Sequence, residues 1–261
     1  MDFSLSEERK MLQETVARFF ENNYKDIKKR GEYLDMNDGF SREFWKESSN
    51  LGVISGLISP TFGGLGGSGE DISIIFELIG KSLCIEPFLS SGILSTTILT
   101  SIKSPKTELI NQIIDGELLI SFAHMEMNNR YEDHLVDTKA FLEDDNWKLN
   151  GSKSFVINGD SADKVIVSAR IDGEINDKNG IGLFLVDTNQ ITRRTYNTID
   201  GYRAAELNFD NVNAELLCKN DLALECIIKA NSAGALALSA EAVGIMQVRS
   251  EEHTSELQSP M

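Results

Sequence analysis

The chain has 261 residues, a formal net charge of −16, 41% hydrophobic residues and 25% charged residues. This is the composition of a folded globular protein with room for one large domain or two medium ones. The acidic excess argues against non-specific nucleic-acid binding, which rests on cations meeting phosphates, and leaves open an anionic small ligand held by local donors. Three cysteines (Cys84, Cys218, Cys226) without a C-x-x-C pair, and three histidines (His124, His134, His253), argue against zinc and fit a reducing, cytoplasmic compartment. The N-terminus MDFSLSEERKML has no basic n-region or apolar h-region, so no secretory signal is read. The longest apolar run, 233–246, is broken by Ser239 and Glu241 and falls short of the roughly 18 residues of a membrane span, so none is expected.

The periodicity predicts an α+β chain. Residues 1–118 read as an N-terminal helical domain. Ser4 and Glu7 fit a capping box, and Leu12, Val16, Phe19 and Phe20 then share one helical face. SREFWKESSN reads as a short helix ended by Gly52. Further helices are predicted in EDISIIFELIGKSL, SSGILSTTILTSI and KTELINQIIDG. Residues 119–220 change to strand-like runs: LLISFAH, WKLNG, KSFVING, DKVIVSAR, GIGLFLVD and AELNFDNV. Asn-Gly or Asp-Gly pairs stand at 150–151, 158–159, 172–173, 179–180 and 200–201. Such pairs tolerate the positive φ of tight reversals, so this region is expected to be a small antiparallel, barrel-like β domain. No helix of useful length separates the runs, which argues against parallel βαβ units. Residues 221–248 return to helix. Their many Ala and Gly positions allow close helix–helix approach, but the apolar faces call for neighbours that this chain is not expected to supply. The final stretch, VRSEEHTSELQSPM, has no helical stripe.

Several motifs invite chemistry. Gly64, Gly66 and Gly69 match G-x-G-x-x-G, a dinucleotide phosphate loop, but no parallel strand precedes or follows them, and the plain reading is a flexible turn. HMEMNNRYEDH (124–134) gathers acids and histidines at irregular spacing, which reads as a solvated loop rather than a metal site. There is no G-x-S-x-G elbow. Cys84 reads as a core residue, and Phe155, between Ser154 and Val156, reads from its strand alone as a core aromatic.

Over about 1–247 the chain resembles the acyl-CoA dehydrogenase superfamily. The resemblance is carried by MDFSLSEERKMLQETVARFF, GGLGGSGEDISIIFELIGKSL, GIGLFLVD, ALSAEAVGIM and above all WKLNGSKSFVINGDSADKVIVSAR. RYED, VDTKA and RRTYNTIDGYRAAEL look most like the small-subunit type of pimeloyl-CoA dehydrogenase. The resemblance implies an N-terminal helical domain, a middle β domain and a C-terminal helical bundle, with FAD bound between the last two, often across a subunit interface. It implies a place in fatty acid or dicarboxylic acid metabolism, an acyl-CoA substrate, an electron acceptor and a homo- or hetero-oligomer. In the implied reaction a carboxylate base takes the α proton of the acyl-CoA and the β hydride goes to the flavin.

Carried over residue by residue, the family's Y-x-V-T-E-P-x-A-G-S-D segment falls on Phe122, Ala123, His124, Met125 and onward. Its flavin-bonding Thr falls on Met125, its Glu on Glu126 and its substrate-contacting Ser on Tyr131. Its flavin-stacking Trp falls on Phe155, followed by Val156, and a second flavin-contacting Thr falls on Ile157. Phe155 can still stack. Met125 and Ile157 have no hydroxyl, which leaves their backbone N–H groups as the expected flavin contacts. Tyr131 adds bulk where a thioester would sit. The family's catalytic carboxylate and its R-x-x-F-G arginine lie on the C-terminal bundle. No residue here is assigned a catalytic role, and the chain is expected to be C-terminally truncated and inactive as it stands. Residues 249–261 resemble a translated sequencing adapter. Two other functions fit less of the pattern: a non-catalytic small subunit of a heteromeric dehydrogenase, and a nucleotide-binding module using the glycine loop.

Overall fold

The computed structural model describes residues 5–129 and 131–258. Ser6 begins the first helix: its side chain accepts a hydrogen bond from the Arg9 backbone N–H. The cap thus falls at Ser6, while Ser4, the expected capping residue, lies outside the described residues. Helices α1 (Glu7–Tyr24), α2 (Ile27–Leu34), α3 (Arg42–Asn50), α4 (Val53–Gly56) and α5 (Gly69–Ser82) follow. They form one compact unit, Met1–Glu86, together with Gly234–Met261 from the last helix. Val16 and Phe20 are fully buried, and Phe20, Tyr24, Tyr33 and Phe44 pack ring against ring. Ser41 caps α3, and Gly52 follows that helix in the left-handed region at φ 83°. Cys84 is a core residue, its thiol donating to the buried Glu86 carboxyl at 3.0 Å.

The glycine loop before α5 is a tightly packed turn rather than a flexible one. A Cβ on Gly64 would lie 1.8 Å from the Ile58 carbonyl oxygen, and one on Gly66 would lie 2.4 Å from the Gly56 carbonyl oxygen. Helical turns, α4 and a 3-10 turn at Pro60–Phe62, precede it instead of a strand. Ser68 and Asp71 close a capping box on α5, and Arg9 pairs with Glu70 and Asp71. With its first amides capped and two carboxylates in its first turn, this helix start is unsuited to a phosphate.

The last helix, α8 (Asp221–Gln258), runs through the polar stretch to Gln258, because no Gly or Pro interrupts 249–258. It also has a neighbour that periodicity did not reveal. In the first unit, a Cβ on Gly80 of α5 would lie 2.0 Å from the Glu241 carbonyl oxygen, and one on Gly244 would lie 2.0 Å from that of Glu77. The two helices therefore touch backbone to backbone at small residues. Within Asp221–Ser250, α8 is long and apolar enough to cross a membrane by length and composition alone. The glycine crossing is that of a helix packed on protein.

The second unit is Pro87–Ala233. A π-helix (Phe88–Ser95) runs into α6 (Thr96–Ser101), and α7 (Thr107–Ile114) follows. Among the described residues seven strands form one sheet: β1 (Ile120–Ala123), β2 (Lys139–Glu143), β3 (Asn146–Ile157), β4 (Lys164–Arg170), β5 (Ile181–Asp187), β6 (Thr192–Asn197) and β7 (Arg203–Lys219). The order is β1-β4-β2-β3-β7-β5, with β6 on β7 and β4 also on β5. The sheet is mixed rather than antiparallel. Strand β1 runs parallel to β4 along four residue pairs, and residues 124–163, containing the β2–β3 hairpin, supply the long return that a parallel pair needs. Nor is it a true barrel: the pairings lead from β4 through β2, β3, β7 and β5 back to β4, but at β2–β4 they rest on a single residue pair, Lys139 with Arg170.

The turns show which Asn-Gly and Asp-Gly pairs reverse the chain. Gly173 and Gly180 flank the β4–β5 reversal and Gly201 lies in the β6–β7 one, all at positive φ. Asn150–Gly151 instead lies inside β3, at a bulge against β7. Close packing requires glycine there: a Cβ on Gly151 would meet Thr138 Cα at 2.8 Å. WKLNG and KSFVING are consequently one strand. The β2–β3 hairpin turns at Asp144 and Asp145, at φ 48° and 62°. Ala123, Leu149, Val156, Val165, Val167, Phe184 and Leu207 form the core of this unit.

Candidate functional site

Strand β1 ends at Ala123 and the chain continues extended to Met125, which bridges Phe155 on β3. The Ser154 amide donates to the Met125 carbonyl at 2.9 Å. This junction is one wall of a cleft of about 150 Å³ in the second unit, lined by Ser90, Leu94, Phe122, His124, Met125, Phe155, Ile157 and Asn231. Alternation along the strands decides which residues reach it. Phe122 and His124 share a face, their rings stacked at 5.5 Å and 5°. Phe155 and Ile157 come from the adjoining end of β3. Ala123 and Val156, between them in sequence, are fully buried in the β core, so their side chains face away from the cleft. Phe155 is 38% exposed, which sets it apart from the core aromatic that its strand alone suggests.

Beneath the cleft lies a buried polar network. Lys153, fully buried, places Nζ 2.6 Å from Glu126 Oε1, 3.0 Å from Ser168 Oγ and 3.3 Å from the His124 carbonyl oxygen. Glu126 also accepts from the Asp137 amide at 2.8 Å, the Thr138 amide at 3.1 Å and the Thr138 hydroxyl at 2.7 Å. His124 Nδ1 lies 2.9 Å from Ser168 Oγ. Burial alone would raise the Glu126 pKa, but the Lys153 charge and the donated hydrogen bonds hold it below the usual carboxylate range. Burial lowers the Lys153 pKa, with Glu126 opposing. Burial, and then the Lys153 charge, pull His124 down to about 3, so its imidazole is neutral at physiological pH.

Tyr131 stands apart from the cleft lining, 87% exposed and at φ 66°. Glu126 is engaged in the network through both carboxylate oxygens. Among the described residues no group of three or more His, Cys, Asp or Glu is placed to hold an ion. Among the described residues no carboxylate lines the cleft. Two larger cavities, about 540 and 520 Å³, lie elsewhere. One is bordered by Asp172, Asp177 and Asp221, the other by Arg9, Gly66 and Asp71 in the first unit. Neither has an aromatic wall. The residues that sequence reasoning missed are Lys153, Ser168 and Thr138. The signal that points to Lys153 is a lysine at an inward strand position, which requires a buried acid as partner.

Comparison with known proteins agrees with this architecture. Residues 6–117 match the family model of the acyl-CoA dehydrogenase N-terminal domain, and residues 121–212 match that of the acyl-CoA dehydrogenase middle domain. Mitochondrial isovaleryl-CoA dehydrogenase of Pongo abelii is 27% identical over 93% of this chain. The chain spans 60% of that relative's length. Butyryl-CoA dehydrogenase from Megasphaera elsdenii superposes with a TM-score of 0.87 at 20% identity, covering 100% of this chain and 71% of that one. A structure described as the FAD complex of PigA superposes with a TM-score of 0.87 at 19% identity, again over 100% and 71%. With its helical segment and its sheet segment matched in the family's own order, the chain belongs to the acyl-CoA dehydrogenase superfamily.

Proposed function

We propose that this chain forms the flavin-contacting part of an FAD-dependent acyl-CoA dehydrogenase that desaturates an acyl-CoA thioester between its α and β carbons. The observation that carries the reading is the cleft at the β1–β3 junction. Its walls are flat and apolar (Phe122, Phe155, Met125, Ile157), and its polar groups are few and local (His124, Ser90, Asn231). That donor set suits a planar heteroaromatic ring better than a phosphate or a metal. At about 150 Å³ the cleft is smaller than the roughly 300–1,000 Å³ of a complete small-molecule site. On this reading it seats only part of a large cofactor.

When bound, FAD supplies the hydride acceptor. The chain's own residues bind and orient it. Phe155 offers a half-exposed ring face for stacking, and Phe122 and Ile157 exclude water beside it. The Glu126–Lys153–Thr138 network fixes the strand ends that carry these groups. The carboxylate base and the rest of the acyl pocket come from outside the cleft's lining. The resemblance implies that they lie on a C-terminal helical bundle.

The test is to express the full chain, add FAD and look for flavin absorbance that stays with the protein through gel filtration. A parallel protein extended through the downstream reading frame is assayed with acyl-CoA and an artificial electron acceptor. Flavin retention with acyl-CoA-dependent reduction of the acceptor in the extended protein is the expected result. A protein of either length that never retains flavin would falsify the reading.

A further inference from the structure

The direction of the protons in the buried network fixes what the floor of the cleft presents. An ammonium donates and cannot accept. Lys153 has three acceptors within 3.3 Å: Glu126 Oε1, Ser168 Oγ and the His124 carbonyl oxygen. All three of its protons are therefore committed, and Ser168 Oγ is an acceptor towards Lys153. The Ser168 hydroxyl proton must go elsewhere. Among the described residues the acceptor within reach is His124 Nδ1, at 2.9 Å. Nδ1 of a neutral imidazole that accepts a hydrogen bond has no proton of its own, so the ring proton sits on Nε2. The stacked Phe122 ring holds the imidazole plane, and His124, 4% exposed, lines the cleft. Nε2 has no protein partner among the described residues.

The other polar side chains of the cleft are engaged or peripheral. The Ser90 hydroxyl donates to Asn158 Oδ1 at 2.9 Å. Asn231 is exposed and already donates to Asp133 at 2.5 Å. Phe122, Met125, Phe155 and Ile157 have no side-chain donor.

We propose that His124 is the cleft's buried side-chain hydrogen-bond donor, presenting Nε2–H to an acceptor atom of the ring stacked on Phe155, with its tautomer set by the relay Lys153 to Ser168 to His124. Only the identity of that ring, a flavin, rests on the function proposed above. The tautomer follows from the chain alone.

Two measurements test it. Nitrogen-15 NMR of the histidine-labelled chain reads the tautomer without any variant. A neutral Nε2–H ring held between about pH 5 and 8 is expected, and an Nδ1–H ring overturns the relay. FAD titration, followed by flavin fluorescence and by the position of the flavin absorption band, then compares the parent with His124→Phe and His124→Gln. Loss of one net hydrogen bond predicts roughly three- to tenfold weaker binding and a shifted band for His124→Phe. His124→Gln, which keeps an N–H donor, should recover most of both. Equal affinity and an unmoved band in His124→Phe overturn the assignment. A parent that takes up no flavin overturns the ligand and the function proposed above together, and the NMR result still decides the tautomer.

Discussion

Lys153 and Glu126 form an ion pair at 2.6 Å whose side chains are 0% and 9% exposed. The pair ties β3 to the segment that follows β1, and Glu126 carries the tie on to the Asp137 and Thr138 amides. Two buried charges cost desolvation, and their attraction with full hydrogen bonding offsets it. Removing one partner leaves the other buried and uncompensated. Lys153→Met is expected to destabilise the chain by about 3–5 kcal/mol in urea denaturation. The double variant Lys153→Met with Glu126→Gln should lose clearly less than the two single losses added together. Additive losses would show that the two groups do not act as a pair.

The network also predicts an acid sensitivity. The folded pKa of His124 is about 3, below its ordinary 6.5, because burial and the neighbouring Lys153 charge disfavour the imidazolium. Below the ordinary value the unfolded chain takes up a proton that the folded chain refuses, so stability is complete above it and declines as pH falls towards about 3. From neutral pH to about pH 5 the loss is about 2 kcal/mol from this residue. Glu126, also held low, adds loss only as pH falls below the ordinary carboxylate value of 4.5. Denaturation midpoints of the parent and of His124→Gln across this range separate the two: the variant should lack the decline between neutrality and pH 5 or so.

The glycines of the first unit should respond in opposite directions. At the α5–α8 crossing, Gly80→Ala or Gly244→Ala puts a methyl 2.0 Å from a carbonyl oxygen of the facing helix. Backbone must shift to admit it, at about 1–3 kcal/mol each. Gly31, inside α2, has nothing within 4 Å of the same position. Gly31→Ala should stabilise by about 0.5–1 kcal/mol, since alanine gives up less chain entropy in a helix. Thermal unfolding of the three variants side by side checks the contrast.

Local chemistry made much of this fold legible, and long-range packing hid the rest. The helical faces of α1 and α5 and the turns at Gly173, Gly180 and Gly201 are written in neighbouring residues. Asn150–Gly151 carries the same local signal as a hairpin, yet it lies at a bulge inside β3, packed against Thr138. The β2–β3 turn uses Asp144 and Asp145 in left-handed backbone, which no glycine announced. Phe155 was legible as a site residue only through family resemblance, because alternation cannot tell a core aromatic from one that faces a cleft. The network was least legible. Lys153 meets His124, Glu126 and Ser168 across 29, 27 and 15 residues of chain, and only the sheet register brings them together.

Phe155 separates folding from ligand binding more cleanly than any other cleft residue. Its ring is 38% exposed and makes no part of the β core, whereas its neighbour Val156 is fully buried there. Phe155→Ala should therefore leave the denaturation midpoint nearly unchanged, while Val156→Ala should lower stability by about 1–3 kcal/mol through a cavity in the core. If Phe155 stacks on a flavin, the loss of that contact, at about 0.5–1.5 kcal/mol, weakens FAD binding by roughly two- to tenfold. Phe155→Trp keeps a ring face and should bind FAD at least as well as the parent. Fluorescence titration with FAD on proteins first shown to be folded gives the comparison. If Phe155→Ala bound FAD as the parent does, the stacking face would have to lie elsewhere in the cleft, with Phe122 the remaining aromatic able to supply it.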